Sequence, residues 1–224
     1  MNLSVKISSS IASLLPHVVI GLLQCKVSNT SYNDELWTDI EDYSKQFKQT
    51  YQLADINQRE TIAATREAYR KTGKEPNRYR PSAEALCRRL VKGESLYRIS
   101  TIVDCINLIS VKTGYSIGGF DRDSIIGNSL ELGIGKAGEE FYAIGRGLLN
   151  IEGLPVYRDE KGPIGTPTSD HERTKISLNT HHLVLIVNGF DGSITSVQQT
   201  LDFSRELLLK YTNASNISEK IVPA

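Results

Sequence analysis

The stretch Gly165-Thr166-Pro167-Thr168-Ser169-Asp170-His171-Glu172-Arg173-Thr174-Lys175 carries an unbroken row of hydroxyl and ionisable side chains from Thr168 onward. Such groups are costly to bury without partners, so this loop is either solvated or lines a polar pocket. A second pair, Asp104 and Asn107, stands three residues apart. On a helix that spacing puts both on one face, where a carboxylate and an amide can pin neighbouring backbone or hold an amino group. Arg173 is expected to pair with an acid such as Glu172 or Asp104 and so hold the loop.

Other chemistries find no support. There is no GxGxxG after a strand, no Walker loop, no HExxH and no GxSxG, so no nucleotide cofactor, zinc or nucleophile-elbow site is expected. The four histidines are His17, His171, His181 and His182. The adjacent pair opens a strand-like segment and points to opposite faces, so it cannot chelate one ion. Cys25, Cys87 and Cys105 lie in apolar or helical stretches without CxxC spacing and read as buried free thiols of a reducing compartment. No apolar run approaches the roughly 18 residues of a membrane span, and the N-terminus lacks a secretory pattern, so a cytoplasmic location is expected.

Formal net charge over the 224 residues is zero, but the distribution is uneven. Residues 70–98 hold nine basic side chains (Arg70, Lys71, Lys74, Arg78, Arg80, Arg88, Arg89, Lys92, Arg98) against Glu75, Glu84 and Glu94, so this segment is +6 and the remainder −6. Charges act over a Debye length of about 8 Å, so a local stripe attracts phosphates whatever the overall balance. A merely solvated helix face is the alternative.

The elements that must position these residues follow from periodicity. Leu3–Ser8 and Val18–Val27 are strand-like, with a short helix from Ser8 to Leu15 between them. Ser31 and Asp34 suggest a capping box for a helix whose stripe is Leu36, Ile40, Tyr43 and Phe47, and a second helix covers Ile56–Lys71. Pro76 and Pro81 force extended geometry before them. Ser82 is expected to cap a helix through Val91 with Ala83, Leu86 and Leu90 inside and Glu84, Arg88, Arg89 and Lys92 outside. Ile102–Val111 reads as a helix ended at Thr113-Gly114. Short strands at 141–145, 156–158 and 182–188 then alternate with turns. Val197 to Tyr211 closes the fold as a helix, and Thr212–Ala224 reads as a frayed tail. The whole is one α+β domain.

Two ordered segments carry a family resemblance. The first is Asn77-Arg78-Tyr79-Arg80-Pro81-Ser82, then Val103-Asp104-Cys105-Ile106-Asn107, then Gly118-Gly119-Phe120-Asp121. The second is Gly165 to Ile176 followed by Thr180 and the strand Leu183–Val187. Together they resemble, over about residues 70–190, the B3/B4 tRNA-editing module of the phenylalanyl-tRNA synthetase β subunit in its stand-alone form. The resemblance implies a B3/B4 fold with a mixed β-sheet flanked by helices. It also implies a strand-helix extension at residues 1–70 packed on the core, an editing-like domain at 71–212 and a tail at 213–224.

The resemblance further implies that the polar loop borders an aminoacyl pocket. Hydrolysis of a mischarged aminoacyl-tRNA in trans is the leading expectation, and a non-catalytic module that binds a tRNA end or an amino acid is the alternative. For catalysis it points to Asp170 or His171 to orient water and to backbone N–H groups of Gly118 and Gly119 as oxyanion donors. Asp104, Asn107, Thr166, Thr168, Ser169, Arg173, Thr174 and Thr180 would bind substrate. Arg78, Arg80, Arg88, Arg89, Lys92 and Arg98 would meet acceptor-stem phosphates. No cofactor, metal or ATP is implied. Gly118 stands where the synthetase has a histidine, and the acid that reads a tyrosine hydroxyl there falls near Ile186, so rejection of Tyr-tRNA is no longer implied.

Overall fold

The computed structural model describes residues 3–224. Strand β1 (Ser4–Ile7) leads through helix α1 (Ser9–Leu14) into β2 (Val19–Lys26), and α2 (Asp34–Thr50) and α3 (Glu60–Lys71) follow. Next come α4 (Ser82–Val91), α5 (Thr101–Thr113), β3 (Ile117–Asp121) and β4 (Ser129–Ile134). The hairpin β5 (Tyr142–Ala143) and β6 (Gly147–Leu148) precedes β7 (Pro155–Asp159) and β8 (Gly162–Gly165). The chain ends with β9 (His182–Gly189), α6 (Ile194–Thr212) and β10 (Ser215–Pro223).

The long strands form two four-stranded sheets, one ordered β10-β2-β9-β3 and one ordered β1-β4-β7-β8. The first is antiparallel throughout. In the second, β1 runs parallel to β4 while the other pairs are antiparallel. Both β2 and β9 are near-continuous apolar runs because both of their faces are covered. Val19, Leu23, Cys25, Leu183, Leu185 and Val187 face a core shared with α2, α4, α5 and α6. The alternate residues Ile20, Leu22, Val184 and Ile186 face a second core shared with the other sheet. The result is three layers, helices on one sheet on another sheet, with the period-2 alternation of β2 and β9 assigning each side chain to its core.

Several sequence expectations need correction. Helix α2 is capped by Asn33, whose side chain accepts from Leu36 N at 3.0 Å, and not by Ser31. The Ile56–Lys71 helix is interrupted at Arg59, with a 3-10 turn at Ile56–Gln58 before α3. Pro81 caps α4, and Ser82 is already inside it, its N–H donating to Pro167 O at 2.8 Å. Glu84 is buried, drawn inward by a 2.9 Å pair with the buried Arg66 of α3. The supposed tail is β10, which pairs with β2 as an edge strand. The three cysteines are free and buried. Among the described residues no helix is long and apolar enough to cross a membrane.

Candidate functional site

A cavity of about 460 Å³ opens where the edge strand of one sheet, β3, meets the edge strand of the other, β8. Ile117 and Gly119 of β3 contribute to its lining, as do Val103, Ile106, Asn107 and Ser110 of α5 and Ser82 and Leu86 from the start of α4. The segment after β8 adds Thr166, Ser169, Asp170, Lys175 and Ile176, and the hairpin adds Ile144. The loop is folded by Thr166, whose hydroxyl donates to Ser169 O and accepts from the N–H groups of Thr168 and Ser169, each at 3.1 Å.

Asp170 is the only carboxylate in the cavity lining. Its Oδ2 accepts from Gly119 N at 3.2 Å. A Cβ on Gly165 would fall 2.8 Å from Asp170 Oδ1 and 2.6 Å from Phe120 Cζ, so glycine at 165 is what lets carboxyl and ring approach the strand together. Burial pushes the Asp170 carboxyl up to about 7, only partly opposed by the Gly119 N–H. A carboxyl poised there can take up or release a proton at neutral pH, which is what a general base requires.

Beside the cavity lies a basic cleft of about 340 Å³ lined by Arg80, Arg88, Arg89 and Lys92, by Arg146 of the β5–β6 hairpin and by Tyr97 and Glu94. Ser82, Leu86 and Asn107 line both spaces, so the cleft and the cavity share a wall. Behind it, the buried Glu84 carboxylate lies 3.4 Å from the guanidinium of Arg80, just before α4, and 3.9 Å from that of Arg88, and holds both heads near the wall. Arg89 stacks on Tyr97 at 4.1 Å and pairs with Glu94 at 2.7 Å.

The B3/4 domain family model matches residues 64–219, well over half of the sequence. The chain belongs to the B3/4 domain family. A solved N-terminal fragment of the phenylalanyl-tRNA synthetase beta-subunit from Pyrococcus horikoshii is similar at 12% identity and a TM-score of 0.49, with all of this chain and 55% of that one covered. This B3/4 chain thus spans about half the length of that fragment. No curated protein matches the sequence.

Within this B3/4 fold the residues singled out from the sequence separate into two groups. Asp170, Gly119, Asn107, Thr166 and Ser169 meet at the cavity, and Arg80, Arg88, Arg89 and Lys92 at the cleft, where Thr168 also lies with its hydroxyl 2.8 Å from Tyr69 OH. The others serve the scaffold. His171 turns away from Asp170; its Nδ1 accepts from Arg173 N at 2.9 Å, its ring meets Phe141 edge-on at 5.1 Å, and burial followed by Arg173 lowers its pKa. Arg173 pairs with neither Glu172 nor Asp104 but makes a bidentate bridge to Asp159 at 2.8 and 2.9 Å.

Asp104 does not share the cavity with Asn107. It is buried against α2, accepting from Trp37 Nε1 at 2.8 Å and Ile99 N at 3.1 Å, and burial raises its pKa. Thr174 is buried near Ile164 O, and Thr180 donates to Asp121 Oδ2 at 2.9 Å. Arg98 leaves the cleft for Glu41 and the face of Trp37, while Arg78 lies over Tyr79. Gly118 gives no free oxyanion donor. Successive strand N–H groups alternate between edges, so with Gly119 N turned to Asp170, that of Gly118 is directed at β9. Ile186 faces the core between the sheets and is no part of the cavity.

The sequence reading missed Arg146, Lys175, Ser82 and the aliphatic wall. Arg146 carried a signal, a lone cation between Gly145 and Gly147 at a hairpin tip.

Proposed function

We propose that this B3/4 protein hydrolyses the ester of mischarged aminoacyl-tRNA in trans. The observation that carries the reading is the shared wall: a cavity holding one carboxyl with a pKa near 7 adjoins a cleft holding five cations. A polyanion with a reactive ester at its end fits that pair of spaces, and the resemblance to the synthetase editing module supports the same substrate.

An aminoacyl ester is already activated, so positioning and a base suffice without a covalent nucleophile. Asp170 as carboxylate takes a proton from a water whose oxygen adds to the ester carbonyl. The carbon–oxygen bond to the ribose then breaks, and the ribose oxygen leaves with a proton. Asn107 and Ser82, at the shared wall, hold the α-amino group or a ribose hydroxyl, while the arginines of α4 take phosphates. A non-catalytic binding module is the second reading, favoured by one observation: the Gly119 N–H that would meet an oxyanion is already bonded to Asp170. A panel of radiolabelled aminoacyl-tRNAs separates the two. Time-dependent loss of ester above the buffer rate, abolished by Asp170→Asn, is the expected result. Retention on filters with no loss for any substrate would assign the binding role instead.

A further inference from the structure

We propose that the cavity accepts a neutral aliphatic side chain of medium size, an inference that rests on the aminoacyl-ester reading above. One side of its wall is hydrocarbon, Val103 and Ile106 of α5, Ile117 of β3, and Ile176, and its one cation, Lys175, is paired with Glu172 at 2.6 Å. No aromatic ring lines it. At about 460 Å³ it lies at the small end of ligand sites, which run from roughly 300 to 1,000 Å³. Two further lining residues are large β-branched side chains left open to solvent, Ile99 at 58% and Ile144 at 41% exposure. They come from separate segments, the turn before α5 and the hairpin, yet border one cavity. A single exposed isoleucine is ordinary, but two at the same apolar recess form a surface that an apolar ligand would cover.

The polar lining orients such a ligand. Ser82 and Asn107 belong to both the cavity and the cationic cleft, so the charged end of an amphipathic ligand faces the cleft and its hydrocarbon end the aliphatic wall. A hydroxyl or charge placed against those four aliphatic side chains would lose water without gaining a partner from them. Size is set by a missing side chain. A Cβ on Gly119 would fall 2.5 Å from Ile106 Cδ1 and 3.0 Å from Ile176 Cδ1, so the glycine lets both methyls settle against β3, and a side chain there would push them aside.

The test uses non-hydrolysable 3′-amido aminoacyl-adenosines carrying Leu, Val, Ala, Thr, Tyr and Asp. Binding is measured by calorimetry, beside kcat/KM on the matching aminoacyl-tRNAs. Each methylene in such a pocket is worth roughly tenfold or more, and rejection of a hydroxyl isostere reaches about 10². Leu and Val are therefore expected to exceed Ala by at least about tenfold, and Val to exceed Thr by up to about a hundredfold. Selective binding of Leu and Val without turnover would sink the hydrolase and leave this inference standing. A flat series, a preference for Thr, Tyr or Asp, or no binding to any analogue would overturn the inference even where ester is cleaved.

Ile99→Ala and Ile144→Ala alter exposed positions and should weaken Leu several-fold more than Ala. Gly119→Ala should lower Leu more than Ala, with circular dichroism checking its fold. Equal effects on Leu and Ala in all three variants would also overturn the assignment.

Discussion

Asp170 and His171 are neighbours in a row of polar residues, and only the structure separates their roles. The row betrayed the loop, but the strand-like bridges at Asp170 and His171 send alternate side chains to opposite sides, a register set by the nearby Gly165 and by Ala143 of the hairpin, 28 residues before His171. Because the folded carboxyl of Asp170 titrates near 7 and an unfolded one near 4, the native state binds the extra proton between these values. Stability contributed at this residue is therefore fully present below about pH 4 and is lost progressively as pH rises from there through about 7. Asp170→Asn, which keeps an acceptor for Gly119 N, should raise Tm most at pH 8, less at pH 5, and leave it nearly unchanged only below about pH 4. The same substitution should lower turnover while tRNA affinity stays within about twofold, since a base acts in the transition state. Wild-type turnover, corrected for the uncatalysed rate, should rise through about pH 7 as the carboxylate forms. A flat corrected profile would remove Asp170 from the chemistry. Arg173 is the contrasting case. Burial pushes its partner Asp159 up, but the hydrogen bonds from Arg173 and from Ile126 N win and hold that carboxyl below its usual value. The stability this pair supplies is present above the unfolded carboxylate range and is lost as pH falls through the lower folded value. Arg173→Ala strands a buried carboxylate, and urea unfolding at pH 7 should show a loss of about 3 kcal/mol that shrinks toward low pH.

At the scale of elements, helix periodicity located α4 and its basic residues, yet it put Glu84 on the outer face. Burial of Glu84 depends on Arg66 of α3, a partner that no local pattern reveals. The same blindness assigned Arg98 to the basic stripe, although it crosses to Glu41 of α2. The cleft therefore owes its charge to part of the stripe and to Arg146 from the hairpin. Replacing Arg88 and Arg89 with Ala should weaken tRNA binding and flatten the dependence of log K on log salt by roughly 1 to 2. Arg146→Ala should reduce that slope by about 1, whereas Arg98→Ala should leave it unaltered. Equal slopes for Arg146→Ala and Arg98→Ala would mean that the hairpin does not touch the nucleic acid. Strand β10 escaped the sequence reading for a different reason. Its register shifts between Ser215 and Ser218, which breaks the alternation, and as an edge strand it keeps mostly polar side chains toward solvent.

At the scale of the whole molecule, the N-terminal residues are woven into the fold and not laid upon it. The family match begins at residue 64, and the resemblance implied a packed extension at residues 1–70; β2 looks like any apolar strand and its neighbours lie about 160 to 200 residues away, so its place in the sheet was not legible. In the structure β2 pairs with β9 over eight residues, Val19–Lys26 against Gly189–His182, and separates β9 from β10. Its side chains enter both cores, with Leu23 and Cys25 toward the helices and Ile20 and Leu22 toward the second sheet. The same β9 carries β3 on its other edge, and β3 contributes Ile117 and Gly119 to the cavity lining. A fragment of residues 64–224 would keep every residue of the cavity and cleft but would lose the strand on which β9 and β10 are registered. It would also expose the edge of Leu183–Val187, an apolar strand of the kind that aggregates. This fragment is expected to lack a cooperative thermal transition by circular dichroism and to elute as aggregate or expanded chain, while the full chain melts in one step. Should residues 64–224 run as a compact monomer with a sharp transition, β2 would be dispensable, and the cavity would be held by α5 and the β3–β9 pair alone.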